Sequence, residues 1–417
     1  MSDKRKVIGI ALITAVAILG DAMLFIVLPL YWQDFGLTAI WQVGVLLSIN
    51  RFVRLPITPL VGLFYSKFDI RTGVLISVIC ASLSTLSYGL LPSFWLLLLA
   101  RVLWGISWSL IKLGGMLTVV ALSTEVNRGH YMGLYNGLWG LGGLVGMLAG
   151  GFLVDQLSIP LVTTLFSFAA VVVFPFIFKL VPKNSKKAED ESTARSHFPE
   201  KDKRSLLHPY IILVIITGGT MGFITMGIFA STLSPLIEQS YDAHWSLFGI
   251  VIGAATLAGM IQAIRWAWDP LFAPMIGSFV DKSRNKNSWI LVPLLLGGVT
   301  FLIIGRAESF LLLLITIMFF QLVSTSLVTI TDTLAGDAAA RSNPIKMMTL
   351  YTVAVDLGAA IGPLVSFIII DLYGLSAVFY LSSMVMILVS ITWIVFNFYT
   401  NQRVRHKNII NNKNDIL

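Results

Sequence analysis

Eight ionisable side chains stand inside stretches that are otherwise apolar: Asp21, Arg51, Arg54, Arg101, Lys112, Arg265, Asp269 and Asp356. A charge at the centre of a bilayer costs roughly 3 kcal/mol, so charges retained there face a cavity and have partners. Asp21 follows Ile18-Leu19-Gly20 near the middle of the first apolar run. It can neutralise itself by taking a proton, which makes it the first candidate for a proton carrier; the alternative is a lasting pair with Arg51 or Arg101. Asp356 is the second proton candidate, with a structural hydrogen-bonded acid as its alternative. Arg51 and Arg54 are three residues apart and share a helix face, where their donors could clamp a carboxylate or phosphate. Arg101, Gly105, Trp108 and Lys112 follow at spacings of four, three and four, a polar and aromatic stripe down one helix. Arg101 is read as part of proton coupling, and Lys112 as receiving an anion or snorkelling to the surface. Gln262, Arg265 and Asp269 form a similar stripe beside Trp266 and Trp268, where Arg265 and Asp269 could pair within their own helix. The five cations outnumber the three acids, which favours an anionic or zwitterionic solute.

No other chemistry is visible. There is no Walker sequence for a nucleotide, no HExxH and no GxSxG, so neither ATP hydrolysis nor other enzymatic work is expected, and no cofactor. The five histidines fall in or beside predicted loops. The single cysteine, Cys80, lies in an apolar run and reads as core filler; alone it makes neither a disulfide nor a thiolate metal site.

The elements that must position these side chains are membrane helices. Of 417 residues 56% are hydrophobic and 12% charged, with a mean hydropathy of +0.85. Apolar runs recur at about twenty residues, the length that crosses a bilayer as an α-helix. The expected spans are 7–31, 42–65, 73–92, 95–118, 131–153, 158–181, 209–232, 246–278, 288–306, 309–331, 348–370 and 375–399. The eighth is overlong, so it either projects outward or begins as an interfacial segment. Trp32, Trp41, Trp95, Trp245 and Trp289 fall where interfacial anchors would sit. The net charge of +8 is not a nucleic-acid signal, because the basic residues sort to alternate loops. That asymmetry places both termini on the cytoplasmic side; the membrane is expected to be a bacterial cytoplasmic membrane. Asp34, Asp155, Glu238, Asp242, Glu308 and Asp371 are expected in outward loops. Residues 182–208 read as a solvated cytoplasmic linker and 400–417 as a polar tail, leaving an N-terminal bundle at 1–181 and a C-terminal bundle at 209–399.

The two bundles are copies. Gly142, Gly146 and Gly150 are four apart, forming a groove where another helix backbone can approach closely. The pattern returns at Gly358 and Gly362 with the same separation, and the same offset carries Asp155 onto Asp371 and Tyr135 onto Tyr351.

Six helices, a polar linker and six related helices resemble the layout of the major facilitator superfamily, in particular its twelve-helix drug and metabolite:proton antiporters, and several motifs resemble that family's signatures. Gly277, Asp281, Lys282 and Lys286 resemble its loop motif between the second and third spans of each half. In the first half Gly62, Lys67 and Arg71 match, while Ser66 stands where the family has an acid. Arg101 and Gly105 resemble its fourth-span arginine motif, associated with proton coupling. Gly142, Gly146, Gly150, Gly151 and Leu153 resemble its antiporter signature, with Met147 in place of the proline; the second copy keeps that proline as Pro363. The resemblance implies an all-α fold of two pseudo-symmetric six-helix bundles. It also implies a monomeric, proton-coupled exporter of a small organic solute such as a metabolite, metallophore or drug. Uptake of a small anion by proton symport is the alternative, and a membrane-bound lipid-handling enzyme using Arg51 and Arg54 a more distant one.

Overall fold

The computed structural model describes residues 3–123, 128–181, 207–241, 246–247, 250–283, 286–340, 342 and 344–414. Most of the expected linker, 182–206, and the side chains of Trp245, Arg265, Trp266 and Asp281 lie outside the described residues. The chain is a succession of helices: α1 (Asp3–Ala17), α2 (Leu19–Leu30), α3 (Trp41–Lys67), α4 (Ile70–Leu90), α5 (Phe94–Leu122), α6 (Arg128–Gln156) and α7 (Ile159–Leu180). Then follow α8 (Pro209–Met221), a π-helical stretch (Gly222–Phe229), α9 (Ala230–Ser240), α10 (Ala254–Asp281), α11 (Lys286–Trp289), α12 (Leu291–Ile304), α13 (Phe310–Ala340), α14 (Pro344–Tyr373) and α15 (Leu375–Asn414). Among the described residues eleven helical segments are long and apolar enough to cross a membrane, with α1–α2 and α8–α9 each counted as one. To these α10 adds 28 residues that include Asp269, with Leu271–Val280 an apolar stretch within it.

The overlong eighth run divides into two elements. Ser246 pairs with Val251 and Leu247 with Ile250 as a short antiparallel hairpin, and the helix begins only at Ala254. The β-branched and aromatic character of 245–252 suits a strand as well as a helix, so hydropathy alone ran the two together.

Contacts group the chain into two compact units. The first comprises Met1–Glu200, Met226–Ala267 and Ala359–Leu372; the second comprises Lys201–Thr225, Trp268–Gly358 and Tyr373–Leu417.

In the first unit two apolar clusters form. One gathers Ile10, Tyr65, Val74, Trp104 and Tyr135; the other gathers Leu28, Phe35, Val43, Leu97 and Val162. Between them along the helices lies a layer of buried polar residues that includes Asp21, Asn50, Ser84 and Arg101. The glycine groove fixes how α6 packs on the first span. A Cβ on Gly146 would stand 2.7 Å from the Leu19 carbonyl oxygen, and one on Gly142 would overlap Ala15 outright. The repeat obeys the same rule in the second unit, where a Cβ on Gly358 would overlap the backbone of Gly219 on α8. Small residues at helix crossings let backbones touch where lipid offers no hydrophobic drive.

Candidate functional site

Asp21 sits at the start of α2, just past the bend at Ile18, and is 7% exposed. Arg101, on α5, is 1% exposed and donates from Nη1 to Asp21 Oδ1. Asn50 Nδ2 on α3 donates to the same oxygen at 3.3 Å. The guanidinium is further held by Nε to the Leu46 carbonyl at 2.8 Å and by Nη1 to the Tyr88 hydroxyl at 3.4 Å. Tyr88 in turn receives Ser84 Oγ at 2.7 Å, so four helices contribute to one network. Gly105 makes the approach possible, because a Cβ there would stand 2.7 Å from the Asn50 carbonyl oxygen. The pairing left open between Arg51 and Arg101 is therefore made with Arg101. Asp21 Oδ2 has no hydrogen bond among the described residues.

Further down α5 the stripe acquires partners that sequence spacing did not supply. The Lys112 ammonium lies 4.1 Å from the Trp139 ring centroid, 5.7 Å from that of Tyr135 and 5.9 Å from that of Trp108. Its Nζ donates to Asn136 Oδ1 at 3.3 Å, and Trp139 Nε1 donates to the same oxygen at 3.1 Å. The Arg54 guanidinium lies 5.5 Å over Trp108. Each cation over a ring contributes about 0.5–2 kcal/mol, depending on how dry it is. Arg54, Trp108 and Lys112 are thus brought together, and Arg51 is half-buried on the same helix as Arg54.

In the second half, Gln262 is buried, and Asp269 accepts a hydrogen bond from Thr325 Oγ1 on α13. Asp356 is half-buried and makes no hydrogen bond or ion pair among the described residues. Asp332 is held as well: its Oδ1 receives the Tyr351 hydroxyl at 2.5 Å. Among the signature residues, Arg71 donates through Nε and Nη2 to the Val181 carbonyl at 3.0 and 2.8 Å. Lys67 and Lys282 are exposed, and a Cβ on Gly62 would meet nothing within 4 Å. A Cβ on Gly277 would meet only Thr329, at 3.7 Å.

Asp155 is not a loop residue as expected. It ends α6, accepts the Tyr31 hydroxyl on Oδ1 at 2.7 Å, and accepts the Thr256 amide on Oδ2 at 2.8 Å together with Thr256 Oγ1. It therefore caps α10 from another helix. The residue before α10, Gly253, has no side chain to do so, and a Cβ on it would overlap the carboxylate. A cavity of about 220 Å³ borders this cap, lined by Tyr31, Asp155, Glu238 and Tyr241 among others. Burial first, and Asp155 beside it, push the Tyr31 hydroxyl well above its usual range. Burial and then Asp155 also raise Tyr241, which donates to the Ile252 carbonyl at 3.0 Å. Both phenols therefore keep their protons and act as donors.

Of the residues that build these sites, Asn50, Tyr88, Trp139, Asn136 and Asp332 were not singled out by sequence. Asn50 stands next to Arg51 in an apolar run and could have been noticed by the same test. The others carry no local signal. Among the described residues no group of three or more His, Cys, Asp or Glu side chains could hold a metal ion.

Among the described residues, eleven helical segments long and apolar enough to cross a membrane, with a buried charged pair within them, are the features of a multi-pass membrane protein. The match to known families agrees: the model of the Major Facilitator Superfamily covers residues 10–269 and 270–414. The chain belongs to that superfamily and is a transporter, not an enzyme, which removes the lipid-handling alternative. It is similar to the class H tetracycline resistance protein of Pasteurella multocida, 24% identical over 320 residues, covering 70% of this chain and 76% of that protein. It is also similar to multidrug resistance protein 2 of Bacillus subtilis, 23% identical over 382 residues, covering 89% and 90%. Its fold matches a solved bacterial homologue of the human lysosomal transporter Spinster, in an inward-facing and occupied conformation. That match has a TM-score of 0.74 at 14% identity, covering 93% of this chain and 95% of that one.

Proposed function

We propose that the chain is a proton-coupled exporter of a small organic anion or zwitterion, working as a monomer in the bacterial cell membrane with both termini cytoplasmic. Its two homologous bundles, 1–181 and 209–399, expose the solute site to one side and then the other. The observation that carries this reading is the buried Asp21–Arg101 pair, with one carboxylate oxygen tied by Arg101 and Asn50 and the other left open to a proton. Arginine keeps its charge, so of the two Asp21 is the candidate carrier of the proton. Two relatives named for resistance to tetracycline and to multiple drugs support outward movement of organic compounds. Arg54 and Lys112 supply positive charge for the solute on the same bundle.

Lys112 lies eleven residues beyond Arg101, about 16 Å along the helix. Solute there and proton on Asp21 therefore influence each other chiefly through the conformations they favour, and exchange requires that they favour opposite-facing states. One observation favours the symport alternative: a proton on Asp21 leaves the Arg101 charge uncompensated, which helps an anion to bind nearby. Everted membrane vesicles separate the two. Under the exporter reading an inward-acid gradient drives solute accumulation, and Asp21→Asn abolishes it while the protein remains in the membrane. Accumulation driven by the opposite gradient would establish symport. Unchanged accumulation in Asp21→Asn would remove Asp21 from coupling.

A further inference from the structure

The ring cluster around Lys112 narrows the class of solute, an inference that rests on the exporter reading. Three aromatic side chains, Trp108, Tyr135 and Trp139, surround one ammonium. Such a cage is built to hold an organic cation, yet here it is filled by a side chain of the protein itself. The Arg54 guanidinium covers Trp108, so a second fixed charge guards the same rings. No carboxylate among the described residues pairs with Lys112. Its ammonium is held by π faces and by Asn136 Oδ1, neither of which carries a full negative charge.

Asn136 is oriented by chemistry. Lys112 Nζ and Trp139 Nε1 are both donors, so the amide must present its oxygen to them, which leaves Nδ2 to donate elsewhere. Asn136 is exposed, and so are its neighbours Gly133 and Gly137, where a Cβ would meet nothing within 4 Å. Open space therefore adjoins the rings, and the polar side chains around it are costly to present to lipid.

We propose that this site takes an aromatic anion. Its carboxylate or sulfonate group draws the Lys112 ammonium from the face of Trp139 and accepts from Lys112 Nζ and Asn136 Nδ2, while its ring stacks on the face of the half-buried Trp139 indole that the ammonium leaves. Trp139 and Asn136 are then determinants of specificity. An organic cation is disfavoured because it must displace Lys112 from the rings.

Isothermal titration of purified protein with three permanently charged probes tests this: benzenesulfonate, its saturated counterpart cyclohexanesulfonate, and benzyltrimethylammonium. Benzenesulfonate is expected to bind about tenfold more tightly than cyclohexanesulfonate. Trp139→Leu removes that difference, and Trp139→Phe keeps most of it. Lys112→Gln weakens both anions by about the same factor. Equal affinity of the two sulfonates for the unaltered protein, or no binding of either, overturns the proposal without relying on any variant. Binding of benzyltrimethylammonium that tightens in Lys112→Gln also overturns it, and assigns the cage to cations. The exporter reading fails on a different result, the absence of gradient-driven accumulation in vesicles. Export of cyclohexanesulfonate as fast as benzenesulfonate would leave that reading standing and remove only the aromatic preference.

Discussion

Asp155→Ala should release the start of α10. The carboxylate accepts from Tyr31 Oη, Thr256 N and Thr256 Oγ1, and the substitution deletes all three acceptor contacts. An N-cap is worth about 0.5–2 kcal/mol, and a hydrogen bond to a charged group about 1.5–3 kcal/mol. These terms act on one site and do not add, and water can replace part of the loss because Tyr31 is only half-buried. A net cost of about 3 kcal/mol is reasonable. At 1.4 kcal/mol per decade this is roughly a hundredfold in the local opening equilibrium. Hydrogen exchange measured by mass spectrometry in lipid nanodiscs reads this directly. Amides of 256–258 should exchange about a hundredfold faster in Asp155→Ala, and about tenfold faster in Asp155→Asn, whose amide oxygen still accepts one donor. Exchange in α3 should not change. Unaltered protection of 256–258, or equal acceleration in α3, would refute the argument that this carboxylate holds the helix end.

Two further perturbations follow from the packing and the titrations. Gly142→Ala places a Cβ against the Ala15 backbone, which cannot move aside as a side chain can, and should cost about 1–3 kcal/mol in thermal unfolding. Gly336→Ala, where a Cβ meets nothing within 4 Å, should be neutral or slightly stabilising. The Tyr31 hydroxyl is raised in the folded protein, so its contribution to stability is complete below about pH 10 and declines as pH rises toward its folded value. Thermal unfolding between pH 9 and 11.5 should therefore fall more steeply in the unaltered protein than in Tyr31→Phe, and equal slopes would contradict this.

Much of the fold was legible because it rests on signals that repeat along the chain. Hydropathy placed the helices to within a few residues for most spans, and the Gly142 and Gly358 copies located the tight crossings of α6 and α14. It failed at 246–253, where a hairpin and a helix share one apolar composition, and at 233–240, where Glu238 and polar neighbours hid the last turns of α9. In the site, a charge in an apolar run was a sound guide to Asp21 and Arg101. In the second half the same test found Asp356, which has no partner among the described residues, and passed over Asp332, which is held by Tyr351. Trp139 and Asn136 escaped notice because no spacing in the sequence ties them to Lys112; only the approach of α6 to α5 gives them meaning. Asp155 looked like a loop acid because its role depends on a helix a hundred residues away.

The central claim is that Asp21 carries the exchanged proton. Purified protein in weakly buffered solution near neutral pH, mixed with benzenesulfonate in the presence of a pH-indicating dye, tests it. The account predicts proton release on solute binding, and none in Asp21→Asn. Release of the same size in Asp21→Asn, or proton uptake in the unaltered protein, would contradict it.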